Sequence, residues 1–332
     1  MRTFVACLAC LMLSLASARA EVKTLVTGYQ YGLTYLPLMI MQHRSLVEKN
    51  ATALGLINLK TDWKVLSGPA PINDGLLTRA LHVGAVGTPS LVTLWAKTKD
   101  RDPVRAVGSL SCMPMYLNTT NPKIKTVKDF DSQDRIAVPS VKVGVQAVTL
   151  QMAAAQALGD EKFAALDPLT VAMAHPEAYV ALMSGKSITA HFGAAPFQTQ
   201  ELEQGLGKVH TVLKSYDVLG GKSTFTLAVA TDSFRKENPL AYKAYVAAFA
   251  EATALINADK RTAAEIFLKV SGSKESPESI LRILNDSDNE FDLTPRNITK
   301  YAAFMHQVGT IKAKPASWRE LAHPNLHDRP GT

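Results

Sequence analysis

Two short segments place glycine, hydroxyl and amide groups directly before stretches that read as helices. Gly87-Thr88-Pro89-Ser90 opens one, and the run from Ser140 through Lys142 and Gly144 to Gln146 opens another. The first N–H groups of a helix have no internal partner and lie at the positive end of its dipole, so such starts suit anions. Thr88, Ser90, Ser140 and Gln146 would add hydrogen bonds, and the backbone at Gly87 and Gly144 can approach a ligand closely. Lys142 would add charge, although an exposed lysine is more often simply solvated, and Thr88 equally suits an ordinary N-cap.

Two further segments carry usable groups. Gln30 and Tyr31 follow a first strand and offer an amide, a ring and a hydroxyl. His191 and Phe192 end a later strand, and Phe197 opens the helix after it; the histidine could donate to an oxyanion and the rings could stack on a planar body. A lone histidine among apolar residues is otherwise a satisfied core group. His175, just before a helix-initiating proline, reads as a structural cap. Tyr35 reads as cover for the helix that follows it, and Cys112 and Met113 as packing.

No catalytic constellation accompanies these residues. There is no His-Glu-x-x-His, no Gly-x-Ser-x-Gly and no Walker-type phosphate loop. A binding protein is expected, not an enzyme, with no cofactor and no metal. The basic excess is scattered, without a Lys/Arg stripe interleaved with aromatics, so no nucleic-acid partner is expected.

The elements that must position these groups alternate between strand and helix. Val22–Thr27, Asp62–Leu66, Val83–Val86 and Val104–Leu110 read as strands separated by helical stretches. A second set follows Asn121-Pro122, with strands at Arg135–Val138, Thr170–Ala174, Ile188–Phe192 and Val209–Leu213. Gly159 and Gly185 fall where helices need left-handed ends. Ser223–Ala230 is one more extended run, and the remainder reads as helix. Asn238-Pro239, Ser276-Pro277 and Thr294-Pro295 each look like a cap followed by proline. The expected fold class is therefore α/β with two lobes, each a mostly parallel sheet flanked by helices, joined by a two-strand hinge near 115–118 and 221–225. Ligands of such sheets bind outside the carboxyl ends of the strands, here the cleft between the lobes.

The chain begins with Arg2, an apolar run from Phe4 to Leu15, and Ala18-Arg19-Ala20 before Glu21. That is the layout of a cleaved secretory signal peptide, and the run is shorter than the roughly 20 residues of a spanning helix. The expected division is a leader at 1–20, the first part of lobe one at 21–116, lobe two at 117–222, and a return strand with a helical completion of lobe one at 223–332. Without Arg2 and Arg19 the 36 basic residues fall to 34 against 29 acidic, about +5, a balance that reads either as solubility or as a field favouring anionic ligands. Cys112 would be the single cysteine left, which allows no intramolecular disulfide.

Four stretches together resemble a known family. They are Gly28-Tyr29-Gln30-Tyr31-Gly32 with Leu36-Pro37-Leu38; Asn73-Asp74-Gly75-Leu76-Leu77 through Val83 to Thr88; Ile136-Ala137-Val138-Pro139 leading to Gln146; and His175-Pro176-Glu177-Ala178 with Met183-Ser184-Gly185, Ile188 to Phe192 and Pro196-Phe197. Their order and spacing are similar to those of solute-binding proteins of the nitrate, sulfonate, taurine and bicarbonate class of ABC importers. His82 stands where that family usually has aspartate. The resemblance implies a type II binding-protein fold, a periplasmic location, monomeric function, and delivery of a small ligand to an inner-membrane permease with a cytoplasmic ATPase. It leaves the cargo open: a sulfonate, sulfate ester or carboxylate, or else a pyrimidine-type heterocycle. A sensory binding protein would share all these features.

Overall fold

The computed structural model describes residues 21–332. The expected signal peptide at 1–20 lies outside the described residues. Among the described residues, ten strands form two five-stranded sheets. The first holds β1 (Thr24–Tyr29), β2 (Lys60–Val65), β3 (Val83–Gly87), β4 (Val104–Cys112) and β10 (Thr224–Thr231), in the order β2-β1-β3-β10-β4. The second holds β5 (Tyr116–Thr119), β6 (Ile136–Val138), β7 (Thr170–Ala172), β8 (Ala190–Phe192) and β9 (His210–Lys214), in the order β7-β6-β8-β5-β9. In each sheet the strand that arrives from the other lobe runs antiparallel to its neighbours: β10 against β3 and β4, and β5 against β8 and β9. The other pairings, β1 with β2 and β3 and β6 with β7 and β8, are parallel. The chain passes between sheets at Met113–Met115 and again between Lys214 and Thr224.

The central strands are apolar on both faces, as helix-covered sheets require. Every residue of β3 and β10 is buried. Glycines let the helices sit close. A Cβ on Gly84 would lie 2.6 Å from Ile72 Cγ2, beneath the helix Pro69–Leu77, and one on Gly108 would lie 2.6 Å from Phe249 Cε1. Phe249 belongs to the helix Pro239–Ala258, whose buried face repeats as Ala241, Tyr242, Ala244, Tyr245, Ala248, Phe249, Ala252 and Ile256.

Several local expectations need correction. Asn238 does not cap the helix after it. Its carboxamide nitrogen donates to the Phe234 carbonyl and its oxygen accepts from the Val22 N–H, while the Glu21 carboxylate takes the N–H groups of Leu240 (2.8 Å) and Ala241 (2.7 Å). Thr294-Pro295 starts no helix; the last long helix begins at Ile298 after Asn297, which adopts φ +56. Ser276 does cap, accepting from the Ser279 N–H at 3.1 Å. Gly185 closes its helix in the left-handed region, whereas Gly159 has φ +105 with an extended ψ. After β1 the chain forms two helices, Leu36–His43 and Leu46–Ala53, separated at Ser45, which adopts φ +48. No helix among the described residues is long and apolar enough to cross a membrane.

Candidate functional site

The helix Thr88–Thr98 starts where β3 ends, and the helix Val145–Leu158 starts after β6 and a tight turn. The two helices touch across the lobes. Neither start has a side-chain cap, so the free N–H groups of both face the same region. Gly144 is needed in its turn because a Cβ there would lie 2.7 Å from the Ser140 carbonyl oxygen.

Between these starts lies a small enclosed cavity of about 20 Å³, room for about one water molecule. Lobe one lines it with Gln30, Tyr31, Tyr35, Gly87, Ser90 and Thr226, among others, and lobe two with Pro139, Val145, Gln146 and His175. No lysine or arginine lines it. The Ser90 hydroxyl is buried and has no hydrogen-bond partner. A larger groove of about 750 Å³ continues outward past Gln30 and Tyr31. Its walls are mostly apolar and aromatic: Val65 and Phe267 from one lobe face Pro176, Tyr179, Val180 and Phe197 from the other.

The structure brings together some of the expected residues and not others. Gln30, Tyr31, Gly87, Ser90 and Gln146 line the inner cavity, and Phe197 lines the outer groove. Thr88 does not line either: it is fully buried, and its hydroxyl donates to the Thr224 carbonyl at 3.0 Å. Phe192 is fully buried in the hydrophobic core because it faces inward from β8. Ser140 and Gly144 shape the turn without lining the cavity, and Lys142 points to solvent at φ +64. His191 is wholly buried one layer behind the cleft.

His175 and Tyr35, read from sequence as structural, both line the inner cavity. Burial pushes the Tyr35 phenol far above its usual range, against a hydrogen bond to Gln30. The carboxamide nitrogen of Gln30 is 3.5 Å from the Ala85 carbonyl. His175 stacks on Phe197, with ring centroids 6.0 Å apart. The signal that could have exposed His175 is its position: like Thr88-Pro89, His175-Pro176 stands just after a strand of the sheet and opens the following helix.

Behind His175 runs a buried polar chain. Its Nδ1 is 2.8 Å from His191 Nε2, and its Nε2 is 3.3 Å from the Gln146 carboxamide nitrogen. His191 Nδ1 is hydrogen-bonded to Glu201 Oε1, and Glu201 is fully buried. The other oxygen of Glu201 accepts from Asn118 Nδ2 at 2.8 Å, while Asn118 Oδ1 accepts from the Thr211 hydroxyl at 2.8 Å. Burial, and then the charge field of His191, hold His175 well below the ordinary histidine range. No group of three or more His, Cys, Asp or Glu side chains among the described residues is arranged to hold a metal.

The lobes meet at several further points. Leu33 donates its N–H to the Ala195 carbonyl at 2.8 Å, and the Thr149 and Tyr301 hydroxyls are 2.8 Å apart. Cys112, beside the first crossing, is buried, and burial pushes its thiol up to about 11.

Comparison with known proteins gives a consistent picture. A family model described as the NMT1-like family matches residues 18–270. No curated protein sequence matches. Among solved structures, the alkanesulfonate-binding protein SsuA from Xanthomonas axonopodis pv. citri bound to MOPS superposes with a TM-score of 0.69 at 16% identity, covering 89% of this chain and 96% of that one. The periplasmic aliphatic sulphonate-binding protein SsuA from Escherichia coli gives 0.66 at 18% identity, covering 92% and 99%. The periplasmic nitrate-binding protein NrtA from Synechocystis PCC 6803 gives 0.68 at 15% identity, covering 91% and 84%. The two-lobe fold is that of these binding proteins.

Proposed function

We propose, from the premise that the chain belongs to the NMT1-like family, that it is the solute-binding component of an ABC importer. In this reading the protein is exported to the periplasm, acts as a monomer without catalysis, and hands its ligand to a membrane permease served by a cytoplasmic ATPase. The ligand is a small organic anion: a sulfonate, sulfate ester or carboxylate.

One observation carries the reading. Two uncapped helix starts, one from each lobe, converge on a cavity that also holds the unpartnered Ser90 hydroxyl. Backbone N–H groups and neutral donors can hold an anion without any cationic side chain, because the helix dipoles supply the partial charge. The aromatic groove beside the cavity would take the ligand's body, which favours a molecule larger than an inorganic ion. The inner cavity is too small for a sulfonate as it stands, so entry requires the lobes to part about the crossings at 113–115 and 214–224, and binding would draw them back together.

A pyrimidine-type heterocycle is the second reading. It is favoured by the flat wall formed by His175 stacked on Phe197, with Tyr31 nearby, and by the lack of a cationic side chain in the cavity lining. A thermal-shift screen separates the two. A ligand that binds only the folded state raises the melting temperature by mass action. Alkyl and aryl sulfonates, sulfate esters, aromatic carboxylates, nitrate, bicarbonate and pyrimidines are the compounds to test. A shift confined to one anion class would support the proposal, a shift with pyrimidines alone would replace it with the second reading, and no shift with any compound would sink both.

A further inference from the structure

The chain from Gln146 through His175 and His191 to Glu201 is more elaborate than packing requires. It commits two histidines and a carboxylate to the interior, and its outer end opens on the ligand cavity. Its proton positions follow from a count of partners. Asn118 spends its oxygen on the Thr211 hydroxyl and its nitrogen on Glu201 and on the Gln198 carbonyl. Glu201 Oε2 therefore accepts, and with Oε1 accepting from His191 Nδ1 the group is a carboxylate. A buried carboxylate without a counter-charge is costly. Among the described residues the one ion-pair partner of Glu201 is His191.

We propose that Glu201 and His191 form a buried ion pair that fixes the proton of the neighbouring His175 on Nε2, so that the cleft offers only donors to an anionic head group. The proton positions follow from that pair. A doubly protonated His191 donates through Nδ1 to Glu201 and through Nε2 to His175 Nδ1. His175, which stays neutral, must then carry its hydrogen on Nε2, the nitrogen beside Gln146. The Gln146 carboxamide can exchange its nitrogen and oxygen within the same volume. With its oxygen turned to His175, its NH2 group faces the cavity. The Gln146 NH2 group and the Ser90 hydroxyl then supply donors beside the two helix starts. With a neutral His191 every link reverses: His175 Nε2 accepts from the Gln146 NH2, the Gln146 oxygen faces the cavity, and the cleft would select a ligand bearing an N–H or O–H instead. Glu201, His191 and His175 are positioning residues, and Gln146 is the ligand contact. The inference rests on the anion reading above and identifies the groups that enforce it.

The deciding measurement needs no ligand. Long-range ¹H–¹⁵N spectra of protein labelled with ¹⁵N-histidine report the protonation of each ring nitrogen, with His175 and His191 assigned from the single variants His175→Gln and His191→Gln. Near pH 7 the expected result is His191 protonated at both nitrogens and His175 at Nε2 alone. A neutral His191, or His175 protonated at Nδ1, would overturn the proposal. In Glu201→Gln the proton of His175 should move to Nδ1, and the affinity for ethanesulfonate, measured by calorimetry, should fall at least tenfold. Unchanged tautomers or unchanged affinity in a folded Glu201→Gln protein would also overturn it. Should that variant not fold, the wild-type spectrum decides alone. A wild-type protein that binds no sulfonate would remove the anion reading, and the spectrum would still settle the ion pair.

Discussion

Thr88 and Ser90 stand two residues apart at one helix start, yet their hydroxyls do different work. Thr88 is tied to the Thr224 carbonyl and holds the helix to β10, whereas Ser90 is buried without a partner in the cavity. Thr88→Ala should therefore lower stability by about 1 kcal/mol, the usual net worth of one hydrogen bond, while sparing affinity. Ser90→Ala should leave stability nearly unchanged and weaken an anionic ligand by about 1.5–3 kcal/mol, the range for a bond to a charged group. Denaturant melts and calorimetric titrations of both variants check the contrast; equal effects in both assays would mean the cavity is not the site. Protonation gives a second prediction at this scale. Burial lowers the pKa of His82 and of His323 from the ordinary 6.5. Such groups are neutral in the fold and protonate more readily when unfolded, so their contribution is complete above about 6.5 and is lost as the pH falls below it. Asp232 adds to this further into acid, because its 3.3 Å approach to His323 and the Arg105 pair hold its carboxyl below the usual carboxylate range. The melting temperature should fall from pH 7 to pH 5 and again below pH 4, and in Asp232→Asn the second fall should shrink.

Elements declare themselves in sequence when their signals are local. The alternation of strand and helix, the fully buried β3 and β10, the Ser276 cap and the Gly185 end are all set by residues within a turn or two of the feature. What sequence could not show are the partners that come from far along the chain. Asn238 has the right type for a cap, but Glu21, more than 200 residues earlier, occupies the helix start instead and frees Asn238 to tie down Val22. His175 has the look of a cap for the same reason, and its true neighbours, Gln146 and His191, sit on other elements. Phe192 and His191 alternate correctly on a strand, but the sequence does not say which face of β8 meets the core. The Glu21 contact is itself testable. A carboxylate that accepts two N–H groups at a helix start lies favourably in the dipole field. Glu21→Ala should cost about 0.5–2 kcal/mol, the range for losing a helix cap, and Glu21→Gln should recover part of it. Denaturant unfolding of the two variants measures both values, and no loss in Glu21→Ala would mean the first residues are not docked.

On the scale of the whole molecule, the open question is whether the closed arrangement of the two lobes matters for binding, and two glycines allow it to be asked cleanly. Gly68 and Gly87 adopt φ −171 and −71, which any residue tolerates. A Cβ on Gly68 would lie 2.9 Å from the Pro139 carbonyl oxygen, and its near neighbours all belong to lobe two. A Cβ on Gly87 would lie 2.8 Å from Val145 Cβ, again across the cleft. A side chain at either position is therefore compatible with lobe one by itself and collides only when the lobes meet. Such substitutions act as wedges. Gly68→Val should still fold, because the added Cβ meets nothing within lobe one. It should show a larger radius of gyration by solution X-ray scattering, and it should bind the ligand at least tenfold more weakly, because the two helix starts can no longer reach it together. Gly87→Ala, with a smaller wedge, should show the same effects in lesser degree. If Gly68→Val scattered and bound like the parent, the lobes would be able to close by another path and the converging helix starts would not be what holds the ligand. If it scattered as expanded yet bound normally, the site would lie in one lobe, with the aromatic groove the place to look for it.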